Sequence, residues 1–200
     1  DHLWGDWLVE KGIVDQQHYK DTNDQFYVDY QNGRLDIMAY LRFSLKVLAE
    51  HDMAQLHFWR EQFLAEKLDA MWLPKAEALL QKHRDQGHTL MIITATNDFV
   101  TAPLADRLGV DHLIATVAEC KRERYTGNVA GIPSYRDGKV ERLAEWLRAN
   151  DETLAGSWFY SDSHNDLPLL RKVDNPVAVD PDATLDREAR EQGWPIISLR

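Results

Sequence analysis

The chain has 200 residues, enough for one ordinary domain or a core with a small insert; 44% are hydrophobic, with seven Trp, seven Tyr and six Phe, which supports a packed core and argues against disorder. Its 33 acidic and 23 basic side chains leave a net charge of -10, which argues against nucleic acid as a partner. A lone cysteine, Cys120, excludes an internal disulfide and a cysteine metal cluster and suits a reducing cytoplasm, while no run approaches the roughly 18 apolar residues of a membrane helix.

From Asp1 to about Trp72 the apolar spacing is helical throughout and predicts four helices. Leu3, Trp4, Trp7 and Leu8 share one face of the first, which Gly12 can end. Tyr19, Phe26, Tyr27 and Tyr30 mark the second, up to Asn32-Gly33. Asp36 is a candidate N-cap for a third, with Ile37, Leu41, Leu45 and Leu48 on one stripe. The fourth runs near Met53 to Met71, and the aromatic stripes of all four read as core.

After Leu73-Pro74 the rhythm changes to alternating helices and strands. A helix over Lys75–His83 precedes Thr89-Leu90-Met91-Ile92-Ile93, an apolar run expected of a strand buried on both faces and ending at Thr94-Ala95-Thr96-Asn97. Further expectations are a helix from about Asp98 to Leu108 stopped by Gly109, a strand over His112–Val117, and a short hairpin in Glu119–Ala130 broken at Thr126-Gly127. A helix opens at Gly138-Lys139, and the aromatic run Trp158-Phe159-Tyr160 reads as a buried strand. Strands at Pro176–Val179 and Pro195–Ser198 flank a last helix from about Ala183 to Glu191. Strands separated by helices of this length imply right-handed crossovers and a parallel sheet. The fold class is therefore α/β, with a Rossmann-like parallel sheet core over 73–200 and a helical domain over 1–72.

Where the aromatic strand stops, Ser161-Asp162-Ser163-His164-Asn165-Asp166 places two carboxylates and an amide at the carboxyl edge of a sheet, where α/β folds bind ligands. Hard oxygen donors there suit Mg²⁺ and a phosphate-bearing substrate; the same residues also serve as ordinary turn formers. Thr94 falls at the end of another strand and Lys139 near a helix start. A hydroxyl, an ammonium and metal-binding carboxylates make up most of a phosphoryl-transfer site. Each also has a plain reading, Thr94 as a helix N-cap and Lys139 as an exposed lysine. Neither a calcium loop nor a P-loop fits. Asp162 is not followed by Gly at the sixth position, Val173 stands at the twelfth, and Gly138-Lys139 lacks the earlier glycine.

The segments LMIIT, GKVERLAEWL and SDSHNDLPLL resemble the second, third and fourth motifs of the haloacid dehalogenase superfamily, in its phosphoserine-phosphatase-like branch, subfamily IB. The Arg124-Tyr125-Thr126-Gly127 hairpin and the tail AVDPDATLDREAREQGWP resemble the same branch, so the likeness covers nearly the whole chain. The resemblance implies a Rossmann-like core with the four helices as an inserted cap. It also implies a Mg²⁺-dependent phosphomonoesterase acting through an aspartyl phosphate on a small metabolite such as phosphoserine or histidinol phosphate. Position by position, Thr94 with Ala95 would bind the phosphoryl group and Lys139 would stabilise the phosphoaspartate. Asp162 would ligate Mg²⁺, Asp166 would support the metal shell or the lysine, and Asn165 would lie close to the phosphate. Arg42, in LRFSL, resembles the cap arginine that holds a substrate carboxylate.

Two departures stand out. Ser161 and His164 replace the usual glycine and a small residue, and the first motif, Asp-x-Asp-x-Thr after a buried strand, is absent. In this family that strand lies between those ending at Thr94 and Asp162 and supplies the nucleophile and the acid/base. The expectation is that residues 1–200 are a trimmed part of a longer protein carrying it. The alternative is a phosphate- or partner-binding domain of the same fold without catalysis.

Overall fold

The computed structural model describes residues 2–200, the side chain of Gln16 excepted. Asp1, with which the expected helical stretch opens, lies outside them. The first helices are α1 (His2–Glu10), α2 (Gln16–Gln31), α3 (Ile37–Ser44), α4 (Lys46–Glu50) and α5 (Met53–Met71). Aspartates start three of them. The carboxylates of Asp15, Asp36 and Asp52 accept from the amides of His18, Ala39 and Gln55 at 2.8, 2.9 and 2.9 Å, each satisfying a donor that has no intrahelical partner.

The expected third helix is two, α3 and α4, separated at Leu45. The buried Ser44 hydroxyl donates back to the Leu41 carbonyl at 3.4 Å, a side-chain bond of the kind that bends helices. The apolar stripe survives the break, with Leu41, Leu45, Val47 and Leu48 all buried. These residues pack with Trp4, Trp7, Leu8, Leu56 and Phe63. Trp4 and Trp7 stack with centroids 5.4 Å apart, so the aromatic stripes are core. Chain contacts group the helices up to Trp72 with Thr96–Leu104 and Ala115–Pro133 into one compact unit, and Leu73–Ala95, Ala105–Ile114 and Ser134–Arg200 into a second.

The remaining elements alternate. They are α6 (Pro74–Asp85), β1 (Met91–Asn97), α7 (Asp98–Leu108), β2 (His112–Lys121), β3 (Arg124–Ala130), α8 (Asp137–Ala149), β4 (Trp158–Ser161), a 3₁₀ turn (His164–Asp166), α9 (Leu167–Leu170), β5 (Asn175–Val179), α10 (Ala183–Gln192) and β6 (Ile196–Ile197). Among the described residues the strands form two three-stranded sheets, ordered β1-β2-β3 and β4-β5-β6. In the second sheet β4 pairs parallel with β5 and β5 parallel with β6. In the second unit Ile114, Leu143 and Leu169 form one buried cluster, with Met91, Ile93, Val140 and Phe159 packed against it, and Leu170, Ala178, Leu185 and Ala189 form another. The chain is thus a mixed α/β protein with a parallel sheet core and a set of N-terminal helices.

Three strand expectations need correction. β1 begins at Met91 and runs to Asn97, so Thr94 sits inside the strand and not at its end. Neither β1 nor β4 is buried on both faces. Met91–Thr96 are half-buried and Trp158 is 46% exposed, because each strand is the edge of its three-stranded sheet. The hairpin of β2 and β3 turns at Arg122-Glu123, with Lys121 facing Arg124, and Gly127 lies within β3. Both turn residues have positive φ, 51° and 59°, the signature of a two-residue type I′ turn made without glycine.

Candidate active site

Lys139 is the third residue of α8, which begins at Asp137. It is not an exposed lysine. Its side chain is 7% exposed, and its ammonium donates to Asp166 Oδ1 at 2.5 Å. The second oxygen, Asp166 Oδ2, accepts from the Ser161 hydroxyl at 2.7 Å, and Ser161 Oγ in turn accepts from the Ser163 amide at 3.1 Å. A buried carboxylate in this position is therefore neutralised on one oxygen and hydrogen-bonded on the other, as burial of a charge requires. Ser161, a departure from the expected glycine, is the residue that orients it.

The chain after β4 is tied down at every step. The 3₁₀ turn begins with Ser163, whose hydroxyl accepts from the Asn165 amide at 3.2 Å. Asp182, the N-cap of α10, reaches across to the same loop. Its Oδ2 accepts from the His164 amide at 2.7 Å and faces His164 Nδ1 at 2.7 Å, while its Oδ1 accepts from Thr184 and Leu185. Burial opposes ionisation of Asp182, but the His164 and Leu185 amides and the His164 ring outweigh it and hold the carboxyl below its usual range. The Asp182 amide donates to the Asp162 carbonyl at 2.8 Å. Asp182 and His164 thus brace the loop from which Asp162 projects.

Asp162 itself is exposed, and the protein around its carboxylate partly desolvates it. That partial enclosure raises its pKa; its own backbone amide and Lys139 oppose the rise, and the charges of Asp166 and Asp182 add to it. A carboxylate crowded by like charges is one that a cation would relieve. Hard oxygen donors of this kind fit a cation such as Mg²⁺. Among the described residues the one convergence of three ionisable ligand side chains is elsewhere, at His2, Asp6 and Asp24. There the imidazole already bridges the two carboxylates, at 2.8 and 3.5 Å.

Thr94 and Ala95 lie in β1, whose continuation through Asn97 means that Thr94 does not cap α7. Asn165 is 2% exposed, and its Oδ1 accepts from the Tyr135 hydroxyl and from Arg136 Nε, both at 3.0 Å. Arg42 belongs to the helical unit, exposed on α3. With Met38, Leu41, Gly127, Asn128 and Val129 it lines a concavity of about 240 Å³. Tyr135, Arg136 and Asp182 had no sequence signal of their own, since each reads as an ordinary loop residue until the fold brings it to the Asp162–Asp166 loop.

A model of the haloacid dehalogenase-like hydrolases matches residues 1–171. The chain belongs to that family. It is similar to a histidinol-phosphatase of Neisseria meningitidis serogroup C, 43% identical over the whole chain and 92% of that relative. Phosphoserine phosphatase SerB1 of Mycobacterium tuberculosis is 34% identical over 82% of the chain, which spans only 54% of that longer relative. Among solved structures, a Bordetella pertussis protein of unknown function superposes with TM-score 0.93 at 37% identity, covering the whole chain and 91% of its own. A substrate-bound phosphoserine phosphatase has TM-score 0.70 at 16% identity, covering the whole chain and 86% of its own, and shares the fold. No described helix is long and apolar enough to cross a membrane.

Proposed function

We propose that the protein is a cytoplasmic, Mg²⁺-dependent phosphatase of small phosphorylated metabolites, with histidinol phosphate and amino-acid phosphates such as phosphoserine as the substrate class. The observation that carries this reading is the buried Lys139–Asp166 pair beside the solvent-facing Asp162 carboxylate. An ammonium held in place by a carboxylate is pre-organised to stabilise a phosphoryl group without moving during the reaction. The 43% identity to a histidinol-phosphatase supports the substrate class.

In this reading an aspartate on a strand outside residues 1–200 would attack phosphorus in line, the ester P–O bond would break, and the leaving alkoxide oxygen would take a proton from a second aspartate of the same motif to depart as the alcohol. Water then attacks the phosphorus of the aspartyl phosphate and frees inorganic phosphate and the carboxylate. That strand would lie between the two edge strands β1 and β4, pairing backbone groups that the two three-stranded sheets leave at their margins. Thr94 and Ala95 would hold phosphoryl oxygens from β1. Lys139 would neutralise their charge, and Asn165 would donate to one of them. Mg²⁺, held through Asp162 with Asp166 supporting, would screen the repulsion between nucleophile and phosphate. The helices up to Trp72 would act as a cap that excludes bulk water, with Arg42 contacting the leaving group.

The test is phosphate release by the full-length protein, with Mg²⁺, from histidinol phosphate, phosphoserine and other small esters. Turnover of one of these supports the phosphatase. Tight binding of a phosphate ester without turnover would favour a binding domain of the same fold, the reading that the lack of an Asp-x-Asp-x-Thr motif in residues 1–200 keeps open.

A further inference from the structure

Arg136 stands one residue before α8, with φ 48° and ψ -119°, a conformation natural to glycine and strained for a residue with a Cβ. Strain of this kind persists only where surrounding contacts hold it, and it gathers at functional sites. Here the contacts are specific. Arg136 Nε donates to Asn165 Oδ1 at 3.0 Å, the Tyr135 hydroxyl donates to the same oxygen at 3.0 Å, and the guanidinium carbon lies 5.3 Å from the centre of the Tyr135 ring. Asn165 and Tyr135 are 2% and 8% exposed, so the exchange takes place away from water.

The chemistry of the donor fixes the orientation of the amide. A guanidinium Nε–H can donate but cannot accept, so the carboxamide atom that faces it must be the oxygen. The Asn165 amino group is thereby turned to the opposite side, where Nδ2 stands 3.4 Å from Ser163 Oγ. A phosphoryl oxygen only accepts hydrogen bonds. In the phosphatase reading, where Asn165 donates to the phosphate, an amide turned the other way would present its own oxygen instead, replacing an attraction with a repulsion.

We infer that Arg136, aided by Tyr135, is a positioning residue that locks the Asn165 carboxamide with its N–H donors toward the phosphate ester. This rests on the phosphatase reading above. The backbone strain is retained because a glycine, which would relax it, carries no guanidinium to set the amide.

The experiment uses the full-length protein and measures kcat, KM and thermal midpoint for wild type, Arg136→Gly, Arg136→Lys, Asn165→Ala and the Arg136→Gly/Asn165→Ala double variant. Arg136→Gly is expected to melt at or above the wild-type temperature, because glycine suits φ 48°. Its kcat is expected to fall about tenfold to a hundredfold, less than the roughly hundredfold to thousandfold seen when an oxyanion donor is removed outright, because Asn165 is still present but no longer held. Arg136→Lys keeps the charge but not the fixed Nε–H, so it does not restore the rate, and it carries the test should the glycine variant fail to fold. The double variant is expected to be no slower than Asn165→Ala alone, since Arg136 acts through Asn165. Wild-type kcat in Arg136→Gly, full rescue by Arg136→Lys, or losses that multiply in the double variant would each overturn the inference. A wild-type protein that releases no phosphate from any ester overturns the phosphatase reading itself, a result distinguishable because it needs no variant.

Discussion

Lys139 Nζ and Asp166 Oδ1 meet at 2.5 Å with side chains 7% and 10% exposed, although 27 residues separate them in the chain. Neither charge is tolerable there without the other, and the Ser161 hydroxyl satisfies the remaining carboxylate oxygen. Removing one partner leaves the other buried and uncompensated. Lys139→Met is therefore expected to cost about 3–5 kcal/mol in urea unfolding. Lys139→Met/Asp166→Leu should recover much of that stability and none of the activity. A single variant as stable as wild type would show that the pair is not desolvated as described.

A second prediction concerns pH. His83 is buried in α6, its Nε2 lies 2.7 Å from the Tyr160 hydroxyl, and its Nδ1 lies 2.9 Å from His88 Nδ1. Burial first, then the nearby charges of His88 and Lys82, lowers its pKa below 6.5. The unfolded chain then binds more protons than the folded one between that lowered value and 6.5, so stability is full above 6.5 and declines as pH falls through this window. Denaturant unfolding followed from pH 8 to 5 should show this decline, reduced in His83→Gln. An identical pH dependence in the variant would assign the decline to other groups.

A third concerns the β2–β3 turn. Arg122 and Glu123 both adopt positive φ, which costs a residue with a side chain roughly 1 kcal/mol or more. Replacing them with Asn-Gly, the pair best suited to a type I′ turn, should stabilise the protein by about 1 kcal/mol in denaturant unfolding. Loss of stability would mean that the Arg122 or Glu123 side chain makes a contact that matters more than the strain.

That turn also shows what the sequence could and could not disclose. Thr126-Gly127 carries the usual turn chemistry, yet Gly127 sits inside β3, where its Cβ would come 3.3 Å from the Ala49 side chain. The real turn has no residue-type signal because tertiary pairing imposed it. The helix starts at Asp36 and Asp98, the end at Leu108 and the alternation after Pro74 were legible, since capping and periodicity are local. Residue type and spacing also single out Lys139, Asp162 and Asp166 as candidates, and the fold pairs Lys139 with Asp166. Ser161 read as a departure, and only its 2.7 Å bond to Asp166 explains it. Arg136 was invisible because a strained φ leaves no mark in the residue name. The apolar runs of β1 and β4 read as fully buried strands, and among the described residues they are edges instead. Composition reports which surface is apolar, while strand neighbours decide how much of it is covered.

In the proposed reading Asp162 serves a metal-dependent phosphatase. The most direct measurement is phosphate release from histidinol phosphate by the full-length protein with Mg²⁺, with EDTA, and in the Asp162→Asn variant. Expected are turnover with Mg²⁺, loss of it in EDTA, and a drop of at least about a hundredfold in Asp162→Asn at saturating Mg²⁺. Turnover that survives both EDTA and Asp162→Asn would contradict that reading.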